Sequence, residues 1–294
     1  MLLGLAAGSA AAHPPELPPI PTQPSQALPK AVFPVLGPAT YIDDFGAPRH
    51  QGRHEGIDIM SVRRAPALAV ESGSVEFNSG GWGCMLYLLG DSGAKYLYVH
   101  LNNDLTMKND NRGKCVAGVA FAKGLRSGQR VEVGQHIAYV GDSGDADGIQ
   151  PHLHFERHPG GGAATNPFRY LNRLPRLLYA APAGSQVSLA LRATVVSTVL
   201  PDKLRIRVQS ARPYPDGARV DHNGRGATVS VPETATFEMR NGFLAVPNLA
   251  LLKRGDPVVV WTELAVSTMN SQLGRGLVAD RVQLLPPPPP AKKS

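Results

Sequence analysis

The sequence predicts a mainly β chain built in two successive parts, and three observations carry that prediction. Short runs rich in Val, Leu, Tyr and Phe, among them GSVEFNS, CMLYLLGD and AKYLYVHL, alternate with Gly, Asp and Ser turns. A break of proline and small residues at 182–185 separates two such sets, and the second set offers no convincing helix. The chain has 294 residues, 43% hydrophobic and only 18% charged, which suits about two domains of roughly 100–200 residues each.

Taken in order, residues 1–12 (MLLGLAAGSAAA) are apolar and end in small residues, as the hydrophobic core and cleavage site of a secretory signal do. No Lys or Arg precedes them, so the segment reads as a truncated signal peptide and implies a periplasmic or secreted protein. Residues 13–38 carry proline every few positions, which removes backbone donors and favours a solvated linker. Residues 39–176 then form an antiparallel β-rich domain, in which RVEVGQHIAYVG and HLHFER complete the strand set. Past a hinge at 182–185, residues 185–286 hold about six strands, including KLRIRVQS, ATFEMRN and DPVVVWTEL. They predict a small barrel, OB-like, or a sandwich. The closing LPPPPPAKKS places a disordered tail at 287–294.

With 30 Lys+Arg against 23 Asp+Glu the net charge is +7, which favours acidic partners. Nucleic acid and anionic cell-wall polymers both qualify on charge alone. No apolar stretch approaches the roughly 18–20 residues of a membrane span.

The chemistry concentrates in histidines. In QPHLHFER, His152 and His154 lie two apart on a strand and share a face, while Leu153 and Phe155 point the other way. Upstream, GRHEGIDIM sets His54 and Asp58 with three residues between them, in a loop that runs into a strand because Gly56 and the isoleucines disfavour helix. Two imidazoles and a carboxylate form a borderline-soft ligand set that suits Zn²⁺ and leaves a fourth position open. A further histidine, His100, ends the aromatic-rich YLYVHLN. Glu55 does not make an H-E-x-x-H protease, because that pattern needs histidine where Asp58 stands. His13, His50, His136, His158 and His222 have no such positional support and read as ordinary surface or core residues.

In this order the segments DDFGAPR, RHEGIDI, APALAVESGSV, VEVGQHIAYVG, GDSG, PHLHFE and Asn166-Pro167 resemble the lysostaphin-type (LytM-like) zinc endopeptidases of bacterial cell walls. The resemblance spans residues 41–170, under half the chain. It implies zinc held by His54, Asp58 and His154, with His100 and His152 as the catalytic pair. The implied reaction is hydrolysis of peptidoglycan cross-links or stem peptides. Zinc would polarise the scissile carbonyl and lower the pKa of a bound water from 15.7 toward about 7.

Two departures from the family pattern stand out. Residues 102–129 form a basic, Gly-rich insertion after His100, and the turn before the H-x-H carries Asp142, Asp145 and Asp147 in place of a Ser/Thr-rich run. Both lie on expected groove walls. The only cysteines, Cys84 and Cys115, would pair in an exported protein and tether the insertion. Two other classes compete. A non-catalytic wall-binding or hydrolase-activating relative would be expected to lack site residues, whereas all five are present. A nucleic-acid binder would need an interleaved basic and aromatic pattern, and the second part offers only Tyr214, Phe237, Phe243 and Trp261.

Overall fold

The computed structural model describes residues 29–286 apart from 51, 183, 200, 216, 240, 241, 245 and 246. The 1–12 segment, most of the 13–38 segment and the 287–294 tail lie outside the described residues.

The first part contains β1 (Ala39–Thr40), β2 (Pro48–Arg49), β3 (Gly52–Arg53), β4 (Ile57–Ser61), β5 (Pro66–Leu68) and β6 (Gly73–Gly80). It continues with β7 (Gly83–Gly90), β8 (Lys95–Leu101), β9 (Arg130–Val131), β10 (His136–Tyr139) and β11 (His152–His158). Seven of these make an antiparallel sheet in the order β1-β4-β11-β8-β7-β6-β9, with β5 and β10 paired as a second layer. Strand alternation assigns the faces. Ile57, Ile59, Leu153 and Phe155 are fully buried on the core side with Tyr98 and Phe121, so Asp58, His152 and His154 project from the other side. Register brings them together, because His154 stands directly opposite Asp58 on β4 and Val99 on β8.

The expected solvated linker is corrected in its last third. Val32, Phe33, Val35 and Leu36 are buried, and the N–H groups of Val32, Phe33 and Leu36 donate to the carbonyls of Val70, Pro175 and Pro66. Proline restricts its own backbone and donates nothing, but it does not stop an extended apolar run such as VFPVL from packing between its neighbours.

The second part contains β12 (Gln186–Val199), β13 (Lys203–Tyr214), β14 (Val220–Ser230), β15 (Thr236–Met239), β16 (Gly242–Leu244), β17 (Pro257–Thr262), β18 (Ala265–Val266) and β19 (Leu277–Leu284). Its pairings run β12-β13-β14-β19-β17 and return to β12, with β14–β19 the one parallel seam of the ring. A closed ring has no free edge, which is a barrel and not a sandwich. Leu191, Ile206, Val208, Val229, Val258, Val260 and Val282 fill it.

The passage between the two cores corrects the hinge at 182–185. Leu177 packs with Val32, Leu36, Leu68 and Leu273 in a junction cluster, whereas Leu178 and Tyr179 already belong to the barrel core. Residues 184 and 185 are pinned to the barrel, since Gly184 N–H donates to the Ser267 carbonyl and Ser267 N–H to that of Ser185. The composition of small residues marked a turn there, but the crossing lies several residues earlier.

Candidate metal centre

His54, Asp58 and His154 bring one donor atom each to within 4.8 Å of one another. His54 arrives from the loop before β4 and Asp58 from β4, while His154 comes from β11 beside it. Gly56 makes the approach possible. A Cβ there would stand 2.9 Å from the His154 ring and 2.7 Å from the Phe155 carbonyl oxygen.

The hydrogen bonds at the back of each ring fix what faces the centre. His54 Nδ1–H donates to the Asp44 carbonyl oxygen at 3.0 Å, and His154 Nε2–H donates to Glu156 Oε1 at 2.9 Å. In neutral rings the other nitrogens are therefore lone-pair donors to a metal. His54 Nε2 and His154 Nδ1 lie 2.8 Å apart and stand 3.0 and 3.1 Å from Asp58 Oδ1. Three acceptors meet at one point, so a cation or a proton must sit between them. Donors about 2.0–2.1 Å from a zinc ion stand about 3.3 Å from one another in a tetrahedron, so this triangle needs to open by only a few tenths of an ångström.

Titration reflects the same demand for positive charge. Burial works against a charged His54, but hydrogen bonds to the Asp44 and Asp58 carboxylates outweigh it and raise its pKa to about 9. Burial likewise opposes an ionised Asp58, yet hydrogen bonds from His154 and His54 hold its carboxyl well below the usual range. Arg49 Nη2 donates to Asp58 Oδ2 at 2.7 Å, which occupies the second carboxylate oxygen and leaves Oδ1 toward the histidines.

His100 and His152 flank this triad with ring centroids 5.0 Å apart. His100 Nδ1–H donates to the Ser143 carbonyl at 3.0 Å and His152 Nδ1–H to that of Gln150 at 2.9 Å. Each keeps a lone pair on Nε2, and His152 Nε2 lies 3.9 Å from Asp58 Oδ1. Burial, then the neighbouring His152, lowers the His100 pKa to about 4, so this ring is neutral at pH 7. Its backbone takes a positive φ of 57°, an uncommon conformation for a residue with a side chain. Ser143 secures that turn: its Oγ donates to the Leu101 carbonyl at 2.5 Å and accepts from the Cys84 N–H at 2.9 Å.

The two departures are fastened to each other, and among the described residues only the turn, through Asp145, Ala146 and Ile149, lines the cleft. Cys84 on β7 is joined to Cys115 of the insertion by a disulfide. Arg63 pairs with both Asp104 and Asp142, which are fully buried, and Asp147 accepts from Asn109 and Asn111. Thus Asp142 and Asp147 fasten the insertion to the turn before β11, and Asp145 lies 3.6 Å from His100 Nδ1. The cleft over the triad measures about 680 Å³. The ribbon β2–β3 places Arg49 and Arg53 on its rim, with Trp82, Ile149 and Met60 as apolar lining. Glu55 lines it as well but makes no bond to the triad histidines.

Sequence reading missed Asp44, Ser143, Glu156 and Arg49 as supporting residues. Glu156 alone had a signal, since it follows His154 by two positions on the same strand face. His136, His158 and His222 stay outside the triad. His158 reaches Glu156 at 2.6 Å, and His222 bonds the Leu178 carbonyl inside the barrel.

No family model matches the chain. It is 30% identical over 117 residues, 39% of its own length, to an uncharacterised metalloprotease of Haemophilus influenzae, of which it covers 20%. Solved structures similar to it include the catalytic domain of lysostaphin from Staphylococcus simulans, at 23% identity and TM-score 0.35, covering 46% of this chain and 92% of that one. Another is a LytM glycyl-glycine endopeptidase from Ruminococcus gnavus, at 24% identity and TM-score 0.36, covering 48% and 59%. A zinc-containing peptidase from Vibrio cholerae matches at 22% identity and TM-score 0.33, covering 46% and 39%.

Proposed function

We propose that the chain is a zinc-dependent endopeptidase that hydrolyses peptide cross-links or stem peptides of bacterial peptidoglycan, in the periplasm or outside the cell. The observation that carries this reading is the meeting of His54 Nε2, Asp58 Oδ1 and His154 Nδ1 at one point, with His100 and His152 beside it. The metalloprotease relative agrees with it, as do the motifs over residues 41–170. The Cys84–Cys115 disulfide supports an oxidising compartment.

Bound zinc would supply Lewis acidity toward a carbonyl oxygen and toward water. The protein supplies the rest. His54 and His154 present lone pairs because Asp44 and Glu156 hold their opposite N–H groups, an arrangement that fixes ring orientation and raises ligand basicity. His152 turns Nε2 toward Asp58, and the neutral His100 ring lines the same cleft. One accepts a proton from the attacking water and returns it to the leaving amine, the task of a general base that then acts as general acid. The other, when protonated, stabilises negative charge on the carbonyl oxygen. The mixed lining, with Arg49 and Arg53 as well as Trp82 and Ile149, suits a peptide that carries both carboxylates and apolar side chains.

Digestion of purified sacculi, with and without chelator, tests this reading when the released fragments are identified by mass. Chelator-sensitive release of peptide-cleaved muropeptides is expected. Intact sacculi after exposure to the zinc-loaded chain would contradict it.

A further inference from the structure

The barrel carries a cationic groove that the metal centre does not use. Alternation along β13 sends Leu204, Ile206 and Val208 into the core and turns Arg205 and Arg207 outward. Such positions recur every ~6.6 Å along one face. Lys203 continues the row but is already paired with Asp202 at 3.0 Å. Among the described residues, neither Arg205 nor Arg207 makes an ion pair with a carboxylate.

The strand beside them leaves room for a ligand. On β14, Thr228 stands opposite Arg205 and Gly226 opposite Arg207, so the floor is shallow and carries a hydroxyl. Gly224 has φ 71°, and a Cβ there would meet Arg207 Cδ at 2.7 Å, so glycine lets the arginine stem lie across the strand. Arg275, on the loop after Leu273, closes the other wall of the groove. Arg225 deepens the positive field. Burial, with Arg176 and Arg275 near it, lowers its pKa to about 10.

We propose that this groove binds the oxyanions of an anionic cell-wall polymer and holds the chain on its substrate, which rests on the wall-peptidase reading above. Guanidinium forks match carboxylate and phosphate oxygens in pairs. Among the described residues, the groove lining contains no aromatic side chain on which bases would stack, which disfavours single-stranded nucleic acid. The disulfide points to the same compartment as the wall.

Retention of the full chain on purified sacculi, measured in the cold over a salt series, tests the proposal. Arg205→Gln/Arg207→Gln should weaken retention about fivefold and flatten its salt dependence, as expected for loss of two exposed charge contacts. Thr228→Glu, which sets a carboxylate opposite Arg205, should have the same effect. Thermal stability and cleavage of a small soluble peptide should not change, and Arg212→Gln/Arg254→Gln, outside the groove, should bind as wild type. Sacculi stripped of phosphodiester polymers separate the sources: a mutant effect lost on stripping assigns the groove to phosphate, and one retained assigns it to stem-peptide carboxylates. Equal retention of wild type and both groove variants would overturn the proposal, as would preference for a short single-stranded oligonucleotide. Groove-dependent retention without any cleavage would instead refute the proposed activity and leave this site standing.

Discussion

His54 and His154 each donate one ring N–H to a fixed oxygen, so both turn their remaining nitrogen toward Asp58. This directional hold predicts how the supporting residues behave. Glu156→Gln keeps the shape but weakens the acceptor behind His154, and should lower metal affinity about 10–100-fold in chelator competition. Unchanged affinity would show that Glu156 only fills space. His100→Ala and His152→Ala should retain the metal and lose about 10²–10⁴ in turnover, because both rings line the cleft beside the triad and supply none of its three donor atoms. Loss of metal by either variant would make it a ligand. Strand alternation alone puts His152 and His154 on one face, whereas His54, Asp58 and His100 were linked to them only through the resemblance to the family's motif order. Asp44 was not legible in the sequence, since its contribution is partly a backbone carbonyl, and nothing in a side-chain pattern reports where a carbonyl points.

At the scale of elements, two segments that look like connections prove to be structural. Phe33 is fully buried against Tyr41 and under the Arg176 guanidinium, so Phe33→Ala should cost about 3–5 kcal/mol in chemical denaturation. A solvated linker would lose almost nothing. The insertion is held at Cys115, and Ala120 and Phe121 enter the core with Phe77 stacked on Phe121. Cys84 and Cys115 are separated by 31 positions, and removing the link with a Cys84→Ser/Cys115→Ser pair should cost roughly 3–4 kcal/mol on the loop-closure scale. Because Cys84 pairs across β7–β8 with Leu101, next to His100, activity should fall with stability. Full activity in the double variant would separate the insertion from the site. The longer strands of both parts were readable from their apolar runs, whereas the two- and three-residue strands β1, β2, β3, β5, β16 and β18 are too short to show a pattern, and in the first half of β14 Asn223, Gly224 and Gly226 hide the pairing with β13.

For the whole molecule, the two cores meet through Leu177, Leu273 and the 32–36 segment, so a chain cut at the apparent hinge loses Leu273 from that cluster and strands Leu178 and Tyr179 without the barrel core they belong to. Acid sensitivity also belongs to this scale. Burial pushes the His136 pKa down to about 4 from the ordinary 6.5, so the unfolded chain takes up the proton first. The resulting stability is complete above about pH 6.5 and declines as pH falls toward 4. Burial lowers His222 in the barrel in the same direction. His136→Gln should therefore shrink the drop in melting temperature between pH 7 and pH 5, and an unchanged drop would assign the acid limb elsewhere. The central claim is that His54, Asp58 and His154 together hold one catalytic metal. Elemental analysis of the purified, zinc-loaded chain tests this most directly, against His54→Ala, Asp58→Ala and His154→Ala prepared in parallel. About one zinc per molecule in the wild type and almost none in the three variants is the predicted result; full zinc occupancy in all three variants, or none in the wild type, would contradict it.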